Sequence, residues 1–285
     1  MDKKCISIWK LIVINAITII VSTILAIVVH ALMPATADAT KFDSIFVKWF
    51  GFTAVAVFYF IVLFTQCSIS VGYIGRRSNM PKLQVGIRFG IAFAITYLIG
   101  MQEVMLKGSP FSAWGIEFVK YQFIMGLGDG IPTMLLCFTI AFLTLTNNRI
   151  GNQIQKLSLA KNIKVILIIA IAIFIERAIG YESGLIANYA SLYPVACYLW
   201  TGCFGLSMGF IYVILHSLLV LGKKHNCIPL RFVATIGVNW IIFNCFIGLI
   251  IKGFMPQMFF RSVVDVTILF ISSVIIDKYI MGSSN

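Results

Sequence analysis

From Leu11 to Met33 the chain reads LIVINAITIIVSTILAIVVHALM, without a single Asp, Glu, Lys or Arg. A helix of about twenty apolar residues is as long as the hydrocarbon core of a bilayer is thick. One such run would be an anchor, but here they recur to the end of the chain. Spans can be marked at about 9–33, 47–70, 83–105, 119–145, 163–180, 195–221, 230–252 and 260–280. Lipid offers no partner to backbone N–H and C=O groups, so apolar segments of this length must be helices. The sequence therefore predicts an all-α polytopic membrane protein with about eight transmembrane helices. Composition agrees: 60% of residues are hydrophobic and only 11% charged, against about 25% charged in a soluble domain. The lipid bilayer is the expected surrounding, and the cell (plasma) membrane the expected location.

The N-terminus imitates a secretory signal, with Lys3 and Lys4, an apolar run, and then PATADA with A-x-A spacing. The run is longer than the roughly 7–15 residues of a signal core, so the first helix is expected to be retained.

The net charge of +12 does not call for nucleic acid. Basic residues kept beside membrane spans raise the charge without an acidic partner, and no basic stripe interleaved with aromatics is present. The distribution of these charges orients the chain. With the N-terminus inside, the outer segments hold Lys41, Lys48, Lys107, Lys120, Arg177, Lys252 and Arg261, and the other fifteen of the 22 Lys and Arg residues fall on inner segments. The positive-inside rule then predicts eight spans with both termini cytoplasmic. The seven cysteines are scattered through apolar runs with no CxxC, and signal neither a disulfide framework nor a zinc site.

Two stretches resemble one another. PKLQVGIRFGIAFAITYLIG starts at Pro81 and PLRFVATIGVNWIIFNCFIG at Pro229, each followed by Lys-Gly and then Pro (Lys107, Gly108, Pro110; Lys252, Gly253, Pro256). Trp49-Phe50-Gly51 and Trp200-Thr201-Gly202 form a further pair, and all these separations are close to half the chain. The pattern fits a parallel four-plus-four repeat, with a first membrane half at 1–157 and a second at 158–285 in one integral unit. Each half has an even number of spans, which would place a pseudo-twofold axis along the membrane normal. The competing account is eight unrelated helices with convergent Pro and Gly at their ends.

GLGDGIP, from Gly126 to Pro132, interrupts the fourth span. An acid at that depth must be protonated, paired or hydrated. Pro132 deprives the Gly128 carbonyl of its helical partner, and Gly126, Gly128 and Gly130 permit unwinding or close approach of another backbone. A helix break is expected here, with Asp129 facing into the bundle beside a freed carbonyl. Such a site suits a proton or cation, as in discontinuous transporter helices; the alternative is a kinked packing helix whose Asp pairs with a side chain. Glu176, Arg177 and Asp265 lie in the same outer half and are expected to join Asp129 around an ion or small polar solute. Arg261, Glu103 and His30, at span ends, are expected to snorkel to the interface. Asn15, Gln66, Gln122, Asn239 and Asn244 are expected to be interhelical glue, and Gly86-x-x-x-Gly90 and Gly205-x-x-x-Gly209 to be helix contacts.

No Walker sequence, GxGxxG or nucleophile elbow is present. His30, His216 and His225 fall at opposite membrane ends or in a loop, which gives no catalytic triad and no metal-ligand spacing. Neither enzyme activity, cofactor, metal nor nucleic-acid partner is expected. The expected function is that of a transporter or permease-like protein; the alternative is a non-transporting membrane protein such as an assembly partner, sensor or immunity-type factor.

Overall fold

The computed structural model describes residues 7–33, 42–100, 115–146, 158–221 and 227–281. Every regular element among them is helical. In chain order they are α1 (Ile8–Leu32), α2 (Ile45–Phe50), α3 (Phe52–Arg77), α4 (Lys82–Gly100), α5 (Gly115–Thr144), α6 (Leu159–Glu182), α7 (Pro194–Leu219), α8 (Ile228–Phe232), α9 (Val238–Ile250) and α10 (Met255–Ile276). A π-helical turn, Val233–Gly237, joins α8 to α9, and a second, Asp277–Met281, continues α10.

The burial pattern of α1 identifies its solvent. It buries Thr18, Ser22, Thr23 and Ala26 and exposes Ile12, Val13, Ile17, Ile20, Val21, Ile24 and Val28. A helix in water would do the reverse. In lipid, branched apolar side chains lose nothing by facing outward, while small residues let neighbouring helices approach.

Among the described residues seven helices are long and apolar enough to cross a membrane: Ile8–Leu32, Phe52–Arg77, Lys82–Gly100, Ile124–Thr144, Pro194–Leu219, Ile228–Ile250 and Met255–Ile280. The eighth expected span, α6, is 24 residues long, but Lys161, Lys164, Glu176, Arg177 and Glu182 make it too charged to qualify on composition. It packs along α7 with antiparallel register. A Cβ on Gly205 would stand 2.9 Å from Ala170 Cα and one on Gly209 2.7 Å from Ile166 Cα, and further along Tyr181 Oη lies 3.2 Å from Thr201 Oγ1. The second span begins later than expected. Ser44 caps the short α2, accepting from the Val47 amide at 3.1 Å, and Gly51 at φ +79° separates α2 from α3, a left-handed conformation that favours glycine. Trp49 is left 70% exposed on α2, as suits an interfacial ring.

α4 and α5 form an antiparallel pair. A Cβ on Gly86 would stand 3.0 Å from Phe138 Cα and one on Gly90 3.2 Å from Met134 Cα, so the small-residue contact read from the sequence is a backbone-to-backbone approach. α1 lies against α3 and α5, α6 against α7 and α10, and α9 against α10, while α4–α7 and α3–α9 contacts join the two sets of helices. The seam is aromatic: Tyr97 stacks on Phe243 at 4.9 Å and Tyr59 on Phe246 at 4.3 Å, and behind it, within the second set, Trp240 stacks on Phe204 at 4.7 Å. Trp200 of α7 also donates its indole N–H to the Ile99 carbonyl of α4 at 2.8 Å.

The amides read as glue mostly act as such. Gln66 Nε2 donates to the Thr235 carbonyl at 2.8 Å within the π turn, and Asn239 Nδ2 donates to Gln66 Oε1 at 2.9 Å. A π turn leaves carbonyls without regular helical partners, and the Gln66 amide supplies one from α3. Ser68 donates to Asn15 Oδ1 at 2.5 Å. Asn244 instead bonds within its own helix, to the Trp240 carbonyl at 2.9 Å. The side chains of Gln122 and Glu103 lie outside the described residues.

Candidate functional site

α5 passes through GLGDGIP without interruption, with Pro132 inside the helix. The break expected at Gly126, Gly128, Gly130 and Pro132 is absent. Pro132 removes one donor, so a single carbonyl loses its partner, and Thr133 Oγ1 donates to the Asp129 carbonyl at 2.7 Å across the adjoining turn. The glycines have another use. Gly126 and Gly130 face α4, where a Cβ would stand 2.6 Å from Leu98 Cα and 3.2 Å from Ala94 Cβ respectively. Gly128 faces α1, where a Cβ would meet Met33 Cε at 2.7 Å and His30 Cε1 at 3.1 Å. Two glycines bring α4 close, and the third makes room for His30.

Asp129 is 3% exposed. Its Oδ1 lies 3.3 Å from His30 Nε2, within charge-pairing distance but without hydrogen-bond alignment. The other ring nitrogen, His30 Nδ1, is 2.8 Å from the Ala26 carbonyl. A carbonyl can only accept, so Nδ1 carries a proton. Attraction between Nε2 and Oδ1 then requires one more proton, held either as imidazolium beside carboxylate or as neutral imidazole beside carboxylic acid. His30 retains 19% side-chain exposure, and its ring also packs on Phe60 of α3 at 5.6 Å. The interfacial role expected for His30 gives way to this pairing.

The other predicted residues assemble elsewhere, between α6, α9 and α10. Arg177 clasps Asp265 bidentately, Nε to Oδ1 at 2.8 Å and Nη2 to Oδ2 at 2.6 Å. Trp240 Nε1 also donates to Asp265 Oδ2 at 2.8 Å. All three residues have zero exposure. Glu176 Oε2 stands 3.7 Å from Arg177 Nε, the Phe204 ring centre is 5.9 Å from Arg177 Cζ, and Arg261, expected to snorkel, is 2% exposed one turn before Asp265. Glu176, Arg177 and Asp265 thus come together without Asp129, which is paired separately with His30. Neither Trp240, which falls mid-span in the sequence, nor His30 was marked as a partner of an acid. The available signal was its depth: a donor set among apolar residues needs an acceptor.

Among the described residues no group of three or more His, Cys, Asp or Glu side chains could hold a metal ion. No family model matches the chain, and no curated protein or solved structure matches it either.

Proposed function

We propose that this multi-pass helical membrane protein is a transporter or permease-like protein that takes a proton or small cation at Asp129. The observation that carries the reading is a buried carboxylate whose charged partner is a histidine rather than an arginine or lysine. Histidine is the side chain that ordinarily gains and loses its charge between about pH 5 and 8, so the pair can exchange a proton under physiological conditions. His30 keeps 19% side-chain exposure and lies two residues before the end of α1, where a proton or cation would enter in this reading. Intramembrane ionisable residues that face a bundle interior commonly mark such pathways.

The same reading takes α6 as an eighth span. Its antiparallel register along α7, itself long and apolar enough to cross, supports this, and its charges lie near its ends or in the closed clasp with Asp265. Eight spans return both termini to the cytoplasmic face, and His30 and Asp129 then sit in the outer half. Cysteines placed singly at Ser158 and Ser109 in a cysteine-free background test the threading: Ser109 should label with an impermeant thiol reagent added outside intact cells and Ser158 should not.

Transport itself is tested in proteoliposomes loaded with a pH-sensitive dye, under imposed Na⁺, K⁺ or pH gradients. Wild type should give a gradient-dependent dye response, and Asp129→Asn should abolish it while the protein remains folded. A second reading, a sensor or assembly partner that moves nothing, is favoured by the capping of Asp129 by a side chain. It wins if wild type gives no response while Asp129→Asn alters stability.

A further inference from the structure

The two buried acids occupy corresponding places in the two sets of helices. Each is on the last long helix of its set, α5 or α10, and each meets a basic side chain on the first, α1 or α6. His30 lies two residues before the end of α1 and Arg177 five before the end of α6. Asp129 and Asp265 each stand fifteen residues before the last residue of their spans, Thr144 and Ile280. Three surrounding pairings also correspond: first with second (α1–α3, α6–α7), first with last (α1–α5, α6–α10), and third with last (α4–α5, α9–α10), whereas the α3–α5 packing has no counterpart of like extent between α7 and α10. Laying Pro81 over Pro229 places Trp240, the third member of the Asp265 clasp, at Ala92, which has no side-chain donor.

The two clasps differ in chemistry. Arginine stays charged at every physiological pH and grips a carboxylate with two parallel N–H groups. Imidazole offers one nitrogen here, at 3.3 Å, and can lose its charge. When it does, a carboxylate left buried in apolar surroundings must take another cation or a proton. We infer that residue 30 determines which acid of the pair can take a ligand: His30 leaves the Asp129 clasp able to open to a proton or small cation, and Arg177, with Trp240, holds the equivalent Asp265 clasp shut. This rests on the reading of Asp129 as a proton or cation site, and gives Glu176, Arg177 and Asp265 a closing role instead of a place in that site.

The charged group acting on Asp129 is His30, while Tyr59, Cys67 and Tyr97 on α3 and α4 interact with one another. Around Arg177 stand Glu176 and Tyr181 on α6 and Arg261 and Asp265 on α10.

The test is thermal melting of full-length protein in lipid nanodiscs at pH 5.5 and pH 8, alongside dye-loaded proteoliposomes. Wild type should melt at different temperatures at the two pH values. His30→Arg should remove most of that difference and cut any proton or cation response at least tenfold. His30→Gln, close in size and without titration, should also remove the pH difference, which keeps the test open should Arg not fit beside Gly128 and Met33. Arg177→His should import a new pH dependence, with a greater loss of melting temperature at pH 8 than at pH 5.5. Wild-type pH dependence retained in His30→Arg and His30→Gln overturns the inference, as does an equal loss at both pH values in Arg177→His. Failure of the transport reading would be visible separately, as a silent wild type in liposomes with the melting differences intact.

Discussion

The pair His30–Asp129 and the clasp Arg177–Asp265–Trp240 are two answers to one problem, a carboxylate held inside a helical bundle in lipid. The second surrounds its acid with three donor contacts of 2.6 to 2.8 Å and excludes solvent from every member. The first uses a single contact of 3.3 Å to a partly exposed ring. A buried ion pair recovers its desolvation cost only when geometry is good and the remaining hydrogen-bonding capacity is satisfied. By geometry the Arg177 clasp is built to stay closed and the His30 pair is not, although among the described residues Arg177 Nη1 and the Glu176 carboxylate make no hydrogen bond. The difference teaches that an intramembrane charge is not by itself a transport site; its partner decides whether the charge is available.

Breaking the stronger clasp should have the largest effect. Arg177→Ala leaves Asp265 buried without its cation, and should destabilise the protein by about 3–5 kcal/mol, read as a large fall in melting temperature in nanodiscs at any pH from 5.5 to 8. A loss as small as that of an exposed surface pair would break the comparison. Trp240→Phe keeps the stacking on Phe204 and removes one donor to a charged acceptor, so a loss of about 1.5–3 kcal/mol is expected. Asp265→Asn in the same background then tells whether that loss comes through the carboxylate: the Trp240→Phe effect should shrink when Asp265 is neutral. The smallest effect is expected at the weaker pair. Asp129→Asn should cost about 0.5–1.5 kcal/mol, read as a small fall in melting temperature in nanodiscs. A loss as large as that of Arg177→Ala would break the comparison.

Several features were readable because lipid imposes them on any sequence. The apolar runs located α1, α4, α5, α7, the α8–α9 span and α10 to within about five residues, and α3 to within about seven, since length and the exclusion of charge are what a span requires. Gly86, Gly90, Gly205 and Gly209 were readable as contacts because a missing Cβ is the simplest way for two helix backbones to meet. The inward burial of Asp129 was also foreseeable, because facing acyl chains would cost free energy that nothing nearby repays. The break at Gly126–Pro132 was not: the residues that permit unwinding are the same residues that permit close packing, and the choice between them belongs to the neighbouring helices α1 and α4.

The sequence alone therefore determined the solvent, the helical class, the approximate spans and the list of charged residues that must be neutralised inside them. These follow from free energies of transfer, which depend on each segment by itself. The tertiary structure alone decided the partners. It set His30 rather than Arg177 or Arg261 against Asp129, brought Trp240 to Asp265, and placed the Gln66 amide on a carbonyl of the π turn. Such contacts join side chains far apart in the chain across helices whose azimuth and register are set by packing, and neither periodicity nor composition within a span carries that information. The character of each buried acid, open or closed, is fixed at that level, by whether the helix packed beside it presents an imidazole or a guanidinium.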